Sequence, residues 1–400
     1  MSLMSAALIS LLTLVAPLLV RALRVPVPDI VVQILLGIVV GPQVLGWAHA
    51  DQPVVVLSVI GLAFLLFLAG LELDFEHLRG PTLSVAVRGF LMSMTLAVAV
   101  GTVLSAIGLV RSPLLIAVIL SATSVGIVIP VLADTGDLTT PLGRLVTASG
   151  SLAEVLPVVL LSLLFTEHGA GLGKQTALLL AFCGLAATAV VTVLGIERWP
   201  WLTRTLVALQ DTTAQIRVRA AVALLLGFAA LAVQFGLEAI LGAFLAGAAI
   251  SLLDRDRAMS HRPFRGKLRA VGYGALIPFF FVATGMSLDV RGFVADAGNA
   301  VRVPLFLGAL LLVRGVPALL YRAILPRARQ VVTAGLLQSV NLSIPVVGGA
   351  IGVRLGVIRP DVYVALVVAG LLSVIVFPVA ASLLAAQRPT PTVATRDVVG

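Results

Sequence analysis

The sequence predicts an all-α polytopic membrane protein of about 13 transmembrane helices, built as two inverted six-helix repeats with discontinuous crossing helices. Composition, the spacing of apolar runs and the distribution of arginine predict it. Of the 400 residues 60% are hydrophobic and only 11% are charged, far from the balance of a soluble domain. The apolar runs recur from end to end, so lipid is the solvent for most side chains. The net charge of +9 would point to nucleic acid in a soluble chain; here it belongs to loops that set orientation, and no nucleic-acid partner is expected.

A span needs about 17–25 apolar residues, and the runs place spans at 3–20, 30–48, 53–73, 89–110, 112–133, 145–166, 176–196, 218–237, 239–253, 270–288, 303–321, 331–353 and 362–386. The first has no basic residue before Arg21 and so lacks the n-region of a signal peptide; it reads as a retained span. The eighth and ninth meet at Phe235-Gly236-Leu237-Glu238 and could be one bent span. Arginine decides between the two. With separate spans and the N-terminus outside, 20 of the 27 basic residues fall in inner loops; fusion would put the basic stretch 255–269 outside, against the positive-inside rule. The expected topology is thus N-terminus out and C-terminus cytoplasmic, in the cell membrane, with a short disordered tail over 387–400.

An odd span number suits six plus six around a linker, 174–196. Ile129-Pro130-Val131 in the fifth span recurs as Ile344-Pro345-Val346 in the twelfth, an offset that also carries the fourth span onto the eleventh and the sixth onto the thirteenth. Each follows a polar stretch: one holds Ser121, Thr123, Ser124 and Gly126, the other Gln338, Ser339, Asn341 and Ser343. Proline removes a helical donor and frees the carbonyl one turn earlier. In a bilayer such breaks are tolerated where protein or a water cavity satisfies them, and matched breaks in inverted halves mark a transporter's binding site.

Glu154 and Arg314 are the charges deep within spans. At about 1.5 Å per residue both lie about 15–17 Å deep, level with Thr123 and Asn341. A lone charge at mid-bilayer costs roughly 2.5–3.5 kcal/mol on insertion scales, so these groups must pair or face water. Burial favours a neutral carboxyl and a nearby arginine a charged one. A carboxylate that holds either a proton or a monovalent cation, but not both, is the simplest basis for antiport, with Arg314 as fixed counter-charge. Glu72 and Asp74 fall at an inner span end and read as interfacial; Glu238, in a turn, has no assigned role. The four histidines have no metal-ligand spacing, and one cysteine, Cys183, allows no intrachain disulfide. No paired aspartates, Ser-His or Cys-His arrangement lies within the spans, so the chain does not read as an enzyme and no cofactor is expected beyond the transported Na⁺ or K⁺ and H⁺.

The chain resembles the monovalent cation:proton antiporters of the Kef-type and sodium/proton exchanger branch, from about residue 15 to 385. The segments that carry the resemblance are Gly37 to Pro42, Gly61 to Asp74, Ser121 to Leu132, Gly143-Arg144-Leu145 and Phe279 to Asp289. Family members usually carry two adjacent acidic residues, or Asn-Asp, in the sixth span; here the pair reads Ala153-Glu154. The resemblance implies an ion site at Glu154, Thr123, Ser124 and Asn341, with Gln338, Ser339, Pro130 and Pro345 supporting it and Arg314 as the family's basic residue. It implies a homodimer of 1–386, whose dimerisation part (roughly 1–80 and 218–290) stays still while a core (roughly 83–166 and 300–386) moves. One carboxylate facing one arginine suits electroneutral exchange. The loss at Ala153 leaves an alternative, a small organic solute coupled to H⁺ or Na⁺ on the same fold.

Overall fold

A computed structural model of the chain describes residues 3–23, 28–72, 80–165, 215–253, 261–295 and 298–386, with scattered positions between 173 and 188. The regular structure of these residues is helical. The first part runs α1 (Met4–Leu23), α2 (Asp29–Val40), α3 (Gln52–Leu71), α4 (Gly80–Ala106), α5 (Pro113–Leu120), α6 (Val125–Asp134) and α7 (Pro141–Leu164). There follow α8 (Ile216–Gln234), α9 (Ala239–Leu253), α10 (His261–Val271), a π-helical turn (Gly272–Leu276), α11 (Ile277–Ser287) and α12 (Val290–Ala295). The chain ends with α13 (Gly298–Leu310), a second π-helical turn (Leu311–Gly315), a 3₁₀ stretch (Val316–Ala323), α14 (Ala328–Gln338), α15 (Ser343–Arg354) and α16 (Pro360–Ala386).

Among the described residues ten helical stretches are long and apolar enough to cross a membrane, and Asp29–Val40 and Ala239–Leu252 are shorter apolar helices. Twelve of the expected span positions therefore carry a helix; most of 176–196 and all of 387–400 lie outside the described residues. Local chemistry sets several starts. Ser112 Oγ accepts from the Leu115 N–H at 3.3 Å ahead of Pro113, and Thr140 Oγ1 accepts from the Gly143 N–H at 3.3 Å ahead of Pro141. Both pair a side-chain cap with a proline in the first turn, where its missing donor costs nothing.

The second expected span, 30–48, is corrected: the helix stops at Val40, and Gly41 is extended at φ −65°, ψ 171°. Pro42 is the cause, because its ring excludes the preceding residue from the α region. The eighth and ninth spans are two helices. Gly236 turns the chain at φ +72°, and a Cβ on Gly242 would stand 2.2 Å from the Phe228 carbonyl. Residues eight positions before and six after Gly236 thus touch, so α8 and α9 form a hairpin.

Packing falls into two sets. In one, α3 lies on α9 and α11, α11 on α2, and α8 on α9; in the other, α4 packs on α5 and α7, and α16 on α13, α14 and α15. The contact of α9 with α7 links the sets. Small residues bring backbones together, as in other membrane bundles. A Cβ on Gly247 would stand 1.9 Å from the Phe67 carbonyl oxygen, and one on Gly37 2.1 Å from that of Val282.

Candidate functional site

The expected crossing is present. Helix stops at Leu120 and resumes at Val125, and stops at Gln338 and resumes at Ser343. Neither gap lies at its proline. Pro345 is the third residue of α15, within the first turn, where helices accept it; Pro130 sits inside α6 and withholds its donor from Gly126. The two gaps satisfy each other. The Ser124 N–H donates to Val340 O at 2.8 Å, and Ser124 Oγ accepts from the N–H groups of Leu342 and Ser343 at 3.1 and 3.3 Å. Thr123 Oγ1 donates to Gln338 O at 2.6 Å. Backbone polarity freed inside an apolar bundle is thereby paired, as it must be.

Arg314 is fully buried and stands in the second π-helical turn. Its Nε donates to Thr123 Oγ1 at 2.9 Å, Nη1 to Ser93 Oγ at 2.9 Å, and Nη2 to Gln338 Oε1 at 3.3 Å. Gln338 Nε2 donates to Tyr321 Oη, which donates to Ser149 Oγ at 2.8 Å. Arg314 and Thr123 are thus in direct contact, as their like depth predicts. Among the described residues, however, the guanidinium touches neutral oxygens and makes no ion pair with Glu154. Each of its three nitrogens already donates to one of those oxygens. The nearest route to the carboxylate is the Thr123 backbone, whose N–H donates to Ala153 O at 3.2 Å, one residue before Glu154.

Glu154 faces a cavity of about 1010 Å³, whose wall includes Glu72, Thr123, Ser124, Gly126, Arg269 and Tyr273. Among the described residues its carboxylate makes no hydrogen bond or ion pair, and its charged neighbour is Glu72. Glu72, at the end of α3, is more than interfacial: Arg269 Nη2 donates to its Oε1 at 2.9 Å. Burial pushes the Glu72 carboxyl up from its ordinary value, and the Arg269 guanidinium opposes that rise.

The other expected site residues fall elsewhere. Asn341 is fully buried and does not line the cavity; its Nδ2 donates to Ile119 O at 2.8 Å, its N–H donates to Ser373 Oγ at 3.1 Å, and among the described residues its Oδ1 has no partner. The helix break turns that side chain towards α5 rather than towards Glu154. Ser339 Oγ is spent on Gly335 O at 2.7 Å, and Gln338 serves Arg314. Thr123 Oγ1 both donates and accepts, so it holds the crossing together rather than offering a free hydroxyl. Sequence reasoning missed Ser93, Ser149, Tyr321 and Tyr273, which are ordinary residues in apolar runs. Glu238, given no role, pairs with Arg354 Nη2 at 2.7 Å.

The family model described as "Sodium/hydrogen exchanger, transmembrane" matches residues 9–387. The chain is 28% identical over 398 residues to YjbQ of Bacillus subtilis, covering 94% of this chain but 62% of that protein's length. It is 26% identical over 365 residues to the Na⁺/H⁺-K⁺ antiporter GerN of Bacillus cereus, covering 89% of this chain and 90% of that one. In fold it is similar to the sodium proton antiporter MjNhaP1 of Methanocaldococcus jannaschii, with a TM-score of 0.67 at 17% identity over 95% of this chain and 97% of that one. The chain belongs to the transmembrane sodium/hydrogen exchanger family, within the monovalent cation:proton antiporter superfamily.

Proposed function

We propose that this protein exchanges Na⁺ or K⁺ for H⁺ across the cell membrane by alternating access around Glu154. One observation carries the reading: a carboxylate deep in a span faces a cavity with a largely apolar wall and has no basic partner among the described residues. An ionised carboxylate held there without a counterion is costly, so it takes up either a proton or a cation. Carbonyls at the two helix breaks, and that of Gly126, which lacks Pro130 as donor, are the cation's further ligands. Thr123, Ser124 and Asn341 fix the crossing that presents them. Arg314, kept charged and held by Ser93, Thr123 and Gln338, biases the site towards the ionised form through Thr123. With one exchanging carboxylate beside Ala153, each turnover carries one cation against one proton and is electroneutral.

The second packing set moves against the first, and the thirteen spans form inverted repeats with the N-terminus outside. The Thr123–Gln338 bond supports the repeat, because its ends are 215 residues apart, the same offset that relates the two Ile-Pro-Val segments. The first set, α1–α3 with α8–α11, is the homodimerisation surface. In vesicles holding a pH gradient, added Na⁺ or K⁺ collapses the gradient, and Glu154→Gln abolishes the collapse. Cation-driven collapse surviving in Glu154→Gln overturns the site.

A further inference from the structure

Tyr321 is fully buried, and its phenol takes part in no step of the exchange proposed above. It stands in the 3₁₀ stretch Val316–Ala323, which follows directly on the π-helical turn of Arg314. Eight residues is long for a 3₁₀ stretch, and such runs inside a helix mark strain or function. Pro317, near its start, has no N–H to give to a helical ladder. Packing on α14 pins the irregular backbone. A Cβ on Gly335 would stand 3.0 Å from Gly315 O, so the span has no room to slide and Tyr321 is held beside Gln338.

Arg314 can only donate, and that orders the protons along the chain of contacts. Gln338 turns its Oε1 to Arg314 Nη2, so its Nε2 faces Tyr321 and donates to the phenol oxygen. The phenol proton then goes to Ser149 Oγ on α7, at 2.8 Å. A Cβ on Gly89 of α4, one turn before Ser93, would stand 3.7 Å from the same phenol oxygen. The phenol thus ties α14 to α7, with α4 at its side. What it grips on α7 is the turn that leads to Glu154. Ser149 opens that turn and Ala153 closes it, and Ala153 O accepts from the Thr123 N–H at 3.2 Å. Between them a Cβ on Gly150 would stand 2.7 Å from Val125 Cγ2, so α7 rests on the start of α6. One end of the turn is tied to the first helix break. The other is tied, through Tyr321, to Gln338 at the edge of the second. Glu154 is the next residue along.

We propose that Tyr321 is a positioning residue of the exchange site: it fixes the Ser149 turn, and with it Glu154, relative to the carbonyls of the two breaks, and so sets which cation is taken. The proposal rests on the exchange reading above. A proton and a cation make different demands on that placement. A proton is held by one oxygen, and its binding changes little when the carboxylate moves slightly. A monovalent cation sheds water and must be met by several oxygens at once, whose number and spacing decide which ion fits. Phenylalanine at 321 keeps the ring and its packing but releases Ser149 and Gln338. The turn is then held at Ala153 and by its contact with α6, and the Gln338 amide loses the partner that orients it.

The test is exchange by the purified protein in vesicles, with Li⁺, Na⁺, K⁺ and Rb⁺ each titrated against a fixed pH gradient. In Tyr321→Phe the half-saturating concentration of the cation that the wild type takes best is expected to rise about five- to tenfold, the worth of one hydrogen bond between membrane helices. Those of the other three rise less, so the preference narrows, while maximal rates are kept. Ser149→Ala breaks the same bond from the α7 side and is expected to narrow the preference likewise, and the double variant adds nothing further. It also carries the test if Tyr321→Phe does not fold. Every other pattern overturns the assignment: unchanged concentrations, an equal rise for all four ions, or a fall in maximal rate alone, which is what loss of mere support for the fold produces. The Glu154→Gln control separates the two readings. If that variant still exchanges, the site itself is wrong; if it is silent while Tyr321→Phe selects as the wild type does, only the role of Tyr321 falls.

Discussion

At the scale of residues, a fully buried charge is held by neutral oxygens. Arg314 spends its donors on Ser93, Thr123 and Gln338, and Gln338 is steadied by Tyr321 and Ser149. Removing one buried partner of a charged group leaves a donor unpaired, which costs about 1–3 kcal/mol. Gln338→Leu is therefore expected to lower the unfolding free energy in detergent by about that amount, read as a drop in melting temperature. Ser339→Ala, which removes a bond made within one helix turn, is expected to do far less. Glu154, Arg314 and Thr123 were legible in the sequence because a charge or a broken helix inside an apolar run has few bland explanations. The neutral members were not. A serine or tyrosine in a membrane helix is commonplace, and only the fold shows that Ser93 and Ser149 converge on one guanidinium and one phenol. Glu72 was legible as a span end, but its place on the cavity wall depends on Arg269 and Tyr273, some 200 residues away in sequence.

At the scale of elements, apolar periodicity and proline gave the helices, and glycine sets how closely they pack. Gly247 of α9 and Gly70 of α3 interlock: a Cβ on Gly247 would stand 1.9 Å from Phe67 O, and one on Gly70 would stand 2.1 Å from Phe244 O. Both obstacles are backbone, so no side chain can move aside. Gly247→Val is expected to destabilise the protein by at least about 1–3 kcal/mol, the usual range for overpacking, with reduced yield of folded protein on size exclusion as the measure. Gly227, whose Cβ would meet nothing within 4 Å, is the control. The broken helices were legible as broken, since paired Ile-Pro-Val segments with polar flanks announce themselves. Where each break falls was legible too, from the polar stretches around Thr123 and Asn341. The gaps open at 121–124 and 339–342, ahead of the prolines, because the two crossing segments bond to one another there.

At the scale of the whole molecule, the cavity and the Glu238–Arg354 pair stand at opposite ends of α16. The cavity reaches Pro378 and Leu383, near its C-terminal end, whereas Arg354 lies just before its start. Glu238 opens α9, in one packing set, while Arg354 closes α15 in the other, and the Glu238 N–H donates to Ser162 Oγ of α7 at 3.2 Å. The seam between the sets is thus tied at the end away from the cavity. That Arg354 side chain is 51% exposed, so the tie is open to the surrounding electrolyte, whose screening length shrinks from about 10 Å at 0.1 M to about 3 Å at 1 M. Brine on that face should loosen the seam without binding anywhere. Choline chloride, added on the face that carries Arg354 as a salt that is not carried, is expected to speed exchange in the wild type and to leave Glu238→Gln nearly indifferent. The protein would then answer salinity through the plain physics of ion atmospheres, working faster where the load of salt is greatest.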